Sequence, residues 1–468
     1  MKAKARSRFD SRTLLLTASA GILVWLVISR SLAAFLAEAN PSAALWLNPW
    51  ESEALVKIAD RTLNPPITTE GSSVGSAVQP LERSKGAPDS AAGGMNGAAA
   101  SSSNFDQVFA VIDQNRTIDL HAVGALAESA LMSDPLNAHA LRILGQVADI
   151  AKDDQAASMF MRAAAHQSLH ETFAGYWLMK KSAEAGDYNA TIYYADALLR
   201  TELGISAYVM PVLAHLAVDK RGRGPLVMAL GADPPWRSAF LGALPDYVTD
   251  ARTPLEILMA LRASSAPPTS ADIAPYLKAL IAHRDYNLAY YTWLQFLSPA
   301  ELRNAGMLFN GNFQSAPSGQ PFDWQISPGA GVTIDIVRRT DKTDARALLI
   351  EFQYGRVGYQ SVTELVMLAP GNYRFTGSYK GELGGPRGLK WRIVCTDGAT
   401  TRVGESAMIT GKAPDWRTIE FGFTVPATNC PAQQVRLDLD ARMASEQLVS
   451  GSVLFDELRI SRAPSPPT

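Results

Sequence analysis

Two cysteines and six histidines are all that 468 residues contain, and no histidine lies beyond His283. The last third of the chain therefore has no imidazole for acid–base or nucleophilic catalysis. Cys395 and Cys430 have 34 residues between them, which fits neither zinc-ligand nor redox spacing. No H-E-x-x-H occurs. The glycine-rich run Gly381-Glu382-Leu383-Gly384-Gly385-Pro386-Arg387-Gly388 lacks the Gly-Lys-Ser/Thr and the helix of a phosphate cradle, so it reads as a loop. An excess of one charge is missing too: 43 Lys and Arg stand against 45 Asp and Glu, a net charge of -2. That balance excludes a global attraction to nucleic acid. Hydrophobic residues, at 47%, suffice for two or three domains with cores.

Charge is concentrated at the start. Lys2, Lys4, Arg6, Arg8 and Arg12 stand against Asp10, and an uncharged run from Thr13 to Ser29 follows. At 1.5 Å per residue this run spans about 25 Å, and Leu32 to Ala37 extend it past Arg30, which can snorkel, toward a hydrocarbon core of ~30 Å. The expectation is a transmembrane signal anchor over residues 13–37, with residues 1–12 as a cytoplasmic basic tail and the bulk beyond the membrane. In a Gram-negative cell that means the inner membrane, single-pass, with the bulk periplasmic. Ala37-Glu38-Ala39 has the A-x-A form, which leaves a cleaved signal peptide as the alternative. On the exported side a Cys395–Cys430 disulfide is expected, and closing a loop of about 36 residues contributes about 4 kcal/mol in the chain-entropy description.

A twelve-residue phrase occurs twice, as Ala44-Leu45-Trp46-Leu47-Asn48-Pro49-Trp50-Glu51-Ser52-Glu53-Ala54-Leu55 and as Ala130-Leu131-Met132-Ser133-Asp134-Pro135-Leu136-Asn137-Ala138-His139-Ala140-Leu141. Each places Asn-Pro or Asp-Pro between two apolar segments, which marks the seam between two helices of a repeat. Apolar residues then recur at helical spacing from Phe105 to about Arg303. Ala140-Leu141-Arg142-Ile143-Leu144-Gly145, with Ala157, Met161 and Ala164 and the turn Gly186-Asp187-Tyr188-Asn189-Ala190, resembles the tetratricopeptide repeat family. Ala157 to Ala190 and Ala164 to Ala197 are 33 residues apart, one short of that family's period of about 34. Later the repeats degrade, with Pro211, Pro225, Pro234-Pro235, Pro254 and Pro267-Pro268 punctuating short helices. The domain reading is a partial helical repeat at 40–63, a flexible Pro/Gly/Ser/Ala linker at 64–104, and a tetratricopeptide-like α-solenoid at 105–303. The resemblance implies a protein-binding surface. His166 and His170, four apart near Glu171, are a candidate metal pair set against a plain polar repeat junction. Arg221-Gly222-Arg223-Gly224 reads as a turn between helices.

After Leu308 the period changes to two. Val332, Ile334 and Ile336 share a parity; so do Leu348, Ile350, Phe352 and Tyr354, and equivalent sets follow through Tyr373, Leu389, Ile419, Val435 and Val453. Seven or more strands in about 150 residues predict an antiparallel β-sandwich. Asn310-Gly311-Asn312-Phe313, Phe322-Asp323-Trp324, Pro370-Gly371-Asn372-Tyr373-Arg374-Phe375, Trp416 and Leu454-Phe455-Asp456-Glu457-Leu458, in that order, resemble carbohydrate-binding modules of the galactose-binding-like jelly-roll type. This covers a domain at 304–462, before a tail at 463–468. The fold class is thus multidomain α + β.

Opposite the apolar parity the strands carry planar hydrogen-bonding groups suited to sugars, among them Arg374, Arg392, Arg436 and Asp438. Trp416, out of phase with its strand, and Tyr359, after a Gly-Arg-Val-Gly turn, are the candidate stacking platforms. Trp324 and Trp391 are expected in the core. The resemblance further implies a structural calcium near Asn312 and Asp456; no other cofactor is expected. Glu351 with Glu364, and Asp438 with Asp440, are the carboxylate pairs a glycan-cleaving enzyme would need. The expected function is a non-catalytic, membrane-anchored envelope scaffold that binds protein through the solenoid and glycan through the sandwich, in surface polysaccharide assembly or export. A protein-only adaptor and a polysaccharide-cleaving enzyme are the alternatives.

Overall fold

The computed structural model describes residues 11–64, 119–327, 329–396 and 401–463. Most of the expected basic tail, linker and terminal tail, and residues 105–118 of the expected solenoid, lie outside these residues. The described chain forms two compact units, Met1–Arg237 and Ser238–Thr468.

In the first unit, α1 (Ser11–Ala39) runs unbroken through Arg30. Its stretch from Leu16 to Ala39 is long and apolar enough to cross a membrane, and Ile22 to Ile28 are exposed along it. The far end is different. Ala37 is fully buried in a small cluster with Ala44 of α2 (Pro41–Leu47) and Ala54 of α3 (Ser52–Leu63). Leu55, Val56, Ala59 and Leu63 of α3 share a core with Val123, Ala127 and Ala130 of α4 (Leu120–Ser133) and Ala140 and Ile143 of α5 (Ala138–Ile150). The helices on either side of residues 65–118 therefore belong to one packed body.

The next helices are α6 (Asp154–Gln167), α7 (Thr172–Glu184), α8 (Tyr188–Thr201) and α9 (Ser206–Val218). Their period is 34 residues, one more than the Ala157/Ala190 spacing suggests: α4, α6 and α8 start at Leu120, Asp154 and Tyr188, and α5, α7 and α9 at Ala138, Thr172 and Ser206. In this register Met161 corresponds to Ala195 and Ala164 to Leu198, and all four are buried. Asp119, Asp153 and Asp187 each cap their helix by accepting from the amide of Ala122, Ala156 or Ala190, which satisfies a first-turn donor that would otherwise lack a partner. Arg142 crosses between repeats. Its guanidinium donates to Asp60 of α3 at 2.9 Å and to Glu171, before α7, at 3.1 Å. Arg221 to Gly224, read as a turn, lie instead in the first turns of α10 (Lys220–Gly231). Gly222 suits a close approach there, since a Cβ would meet the Leu216 carbonyl oxygen at 3.0 Å. Pro211 and Pro225 likewise fall inside α9 and α10 rather than between helices.

The second unit begins one residue into α11 (Arg237–Tyr247) and continues with α12 (Arg252–Leu261), α13 (Ser270–Ala282), α14 (Tyr286–Gln295) and α15 (Pro299–Asn304). Grouping these helices with the sandwich differs from the domain line expected at residue 303. The reason is aromatic: Trp293 of α14 packs on Phe309 and Phe322 with ring centroids 5.0 and 5.6 Å apart, and the Tyr286 hydroxyl donates to the Thr396 carbonyl at 3.0 Å.

Nine strands follow among the described residues, β1 (Val332–Arg338), β2 (Arg346–Phe352), β3 (Val362–Val366), β4 (Gly371–Gly384), β5 (Leu389–Cys395), β6 (Arg402–Glu405), β7 (Gly411–Val425), β8 (Gln433–Leu439) and β9 (Ser450–Arg462). They make a five-stranded sheet, β1-β2-β9-β4-β7, and a four-stranded sheet, β3-β8-β5-β6, with every pairing antiparallel. Between them Trp391 touches Trp324, Phe375 and Phe455, and both tryptophans are fully buried as expected. Tyr354, counted with the core parity of β2, is 97% exposed because the strand ends at Phe352. In β9 the apolar phase slips from Val453 and Phe455 to Leu458 and Ile460. Glu457 takes a left-handed φ of 56° there, and the extra residue turns Asp456 inward to 2% exposure. Cys395 and Cys430 form the expected disulfide.

A polar cavity on the four-stranded sheet

One face of the four-stranded sheet packs on the core, so Lys390, Arg392, Arg436 and Asp438 stand on the other. Register decides which of them meet. Arg392 of β5 lies directly opposite Arg436 of β8, Lys390 opposite Asp438, and Glu405 of β6 opposite Arg392. Two arginines facing each other across a ladder repel. Asp438 offsets this: its Oδ2 accepts from Arg392 Nη1 at 3.3 Å, and its Oδ1 accepts from Arg436 Nε at 3.2 Å and from the Ser361 hydroxyl. Arg392 also donates to Asp440 and, at 3.4 Å, to Glu405. Burial alone would push the Asp440 carboxyl up, but the Arg392 bond and the charges of Lys390, Arg392 and Arg387 hold it below its ordinary value.

Above this lattice lies a cavity of about 290 Å³. Its polar lining is Tyr359, Ser361, Arg392, Arg436, Asp438 and Gln447, and Val357 and Leu439 give it a small apolar wall. The crossing from β2 to β3 supplies Val357, Tyr359 and Ser361; the loop from β8 to β9 supplies Gln447. The Val357 amide donates to the Gln447 carbonyl at 3.0 Å and ties these two segments together.

Four of the six glycan candidates, Tyr359, Arg392, Arg436 and Asp438, therefore meet in one place. Tyr359 serves as wall rather than platform. Its half-buried ring packs edge-on against Phe352, and its hydroxyl donates to the Leu437 carbonyl at 3.0 Å. Burial pushes that hydroxyl well above the ordinary tyrosine pKa. Arg374 and Trp416 lie on β4 and β7 of the other sheet. Arg374 forms an exposed pair with Glu420 at 2.8 Å. Trp416 has the Arg339 guanidinium 4.0 Å over its ring and donates its indole N–H to Asp341 at 2.7 Å. That ring face is already occupied.

Arg339 also donates to Asp456 at 2.6 Å, and the other oxygen of Asp456 accepts from the Glu457 amide. Asn312, its expected companion for calcium, is exposed. No group of three or more His, Cys, Asp or Glu placed to hold a metal occurs among the described residues, His166 and His170 included. Ser361, Val357, Leu439 and Gln447 were not legible as site residues. Ser361 sits two positions before Thr363 on the outward parity, the one signal that points to it; Gln447 lies in a loop and has none.

No protein-family model and no curated protein matches the chain. Solved structures do show likeness. A CBM4 structure is 16% identical over 33% of this chain and 99% of its own, at a TM-score of 0.25. The CBM22-1 xylan-binding domain of Xyn10C from Paenibacillus barcinonensis is 16% identical over 30% of this chain and 86% of its own, at 0.22. TmCBM61, solved in complex with β-1,4-galactotriose, is 16% identical over 34% of this chain and 99% of its own, at 0.23.

Proposed function

We propose that the chain is a non-catalytic, membrane-anchored envelope scaffold whose sandwich binds glycan in the cavity on its four-stranded sheet. The observation that carries this is the cavity itself. Two guanidinium planes, a carboxylate, two hydroxyls and an amide converge there beside a small apolar wall, the mixture by which a sugar's hydroxyls and C–H face are held. Its single carboxylate, Asp438, is bonded to both arginines, an arrangement that favours holding a sugar over cleaving its bond, for which two carboxyl groups act together. The long apolar helix α1 supports anchoring in the inner membrane with the rest periplasmic, and the disulfide fits that compartment. The 34-residue helical period supports the tetratricopeptide-like reading and with it a protein partner on the helical repeats. Surface polysaccharide assembly or export is the setting that joins these parts.

The test is a broad glycan array probed with the full chain in detergent. Wild type and Trp416→Ala should retain the same glycans, and Ser361→Trp, which fills the cavity, should lose them. An array silent to the folded protein, or binding unaffected by Ser361→Trp, overturns the reading.

A further inference from the structure

The hydrogens left unpaired in the cavity are all on nitrogen. Asp438 accepts from Arg392, Arg436 and Ser361 together. Tyr359's hydroxyl hydrogen is on Leu437, and Ser361 donates to Asp438 while accepting from Arg436 at 3.4 Å. Gln447 accepts from Arg356 Nε at 3.0 Å through its Oε1, which leaves its NH₂ group pointing elsewhere with no partner among the described residues. Arg436 Nη1 has none either, and the Arg436 side chain is 32% exposed at the cavity. The free hydrogens are therefore those of N–H donors, one of them cationic, while the oxygens keep only their remaining lone pairs.

Charge runs the same way. Arg436 has a single carboxylate partner, Asp438, at 3.2 Å, and shares it with Arg392. A neutral sugar hydroxyl can accept from these N–H groups but brings no charge to answer the cation. A carboxylate only accepts, and its two oxygens can take one hydrogen from the free Arg436 Nη1 and one from the Gln447 amide group.

We propose that the cavity takes the acidic sugar of an anionic polysaccharide, a uronate whose carboxylate meets Arg436 and the Gln447 amide group. The proposal rests on the glycan reading above and names its ligand class. The cavity, at the small end of ligand pockets at about 300 Å³, suits one sugar residue and its carboxylate rather than a long chain segment.

The test is calorimetric titration of the full chain in detergent with oligomers of galacturonate, glucuronate and mannuronate, with their methyl esters, and with a neutral galactan oligomer. At least one acid should bind, its ester at least tenfold more weakly. Arg436→Gln should lose a similar factor for the acid and Arg436→Lys should recover part of it, both with unchanged circular dichroism. Binding of ester or neutral oligomer as tight as that of the acid, or of the acid to Arg436→Gln unchanged, overturns the uronate assignment and leaves glycan binding standing. No binding of any oligomer, together with a silent array, overturns both.

Discussion

Glu364 has one carboxyl oxygen on the Phe309 amide, at 2.7 Å, and the other without a partner among the described residues, and the residue is 1% exposed. Burial pushes this carboxyl well above its ordinary value; the Phe309 bond opposes the shift and the nearby Asp323 adds to it. The folded state therefore keeps a proton that the unfolded chain loses near pH ~4.3. Above that pH the unfolded state binds fewer protons than the folded one, so stability falls as pH rises toward the folded pKa. Glu364→Gln should flatten this fall, measured as melting temperature between pH 4 and 8; an unchanged slope would count against the account. Single residues were also where sequence patterns were least sufficient. Trp416 stood out as a platform because it breaks phase, yet what it meets is Arg339, 77 positions earlier and carrying no periodic mark. Arg392, Arg436 and Asp438 were legible because alternation puts them on the outward parity.

Elements were read more securely than their neighbours. Alternation located the strands and their two faces, but strand order assigns strands to sheets, and order is not written in alternation. Arg374 and Arg392 share the outward parity and part company because β4 joins β9 and β7 while β5 joins β8 and β6. In β9 the phase slips at Asp456-Glu457, between two apolar pairs, and the left-handed Glu457 explains it. Among the helices, aligning alanines placed the repeat one residue short, because the buried partner of Ala164 is the larger Leu198 rather than Ala197. The disulfide joins the end of β5 to the approach to β8, the two central strands under the cavity. Replacing Cys395 and Cys430 by alanine should lower stability by about 2–4 kcal/mol in denaturant unfolding at pH 7. A loss below 1 kcal/mol would show that this crosslink contributes little to the sheet.

At the scale of the whole chain, the change of period after Leu308 marked the sandwich, yet the compact unit starts far earlier, at Ser238. Helical spacing reports which face of α14 is apolar; it does not report that Tyr290 and Trp293 pack on Phe322 of the β-rich segment. At the other end, the last turns of α1, within its apolar stretch, bury Ala37 against α2 and α3, so the anchor proposed at α1 would hold the first helical unit directly. The glycan is proposed to sit in one cavity, on the four-stranded sheet. Hydrogen–deuterium exchange of the full chain with and without a polysaccharide retained on the array tests it most directly. Added protection is expected in Val357 to Ser361, in Arg436 to Ala441 and around Gln447, with none around Arg374 or Trp416. Protection centred on Arg374 and Trp416, with the cavity segments unchanged, would contradict it.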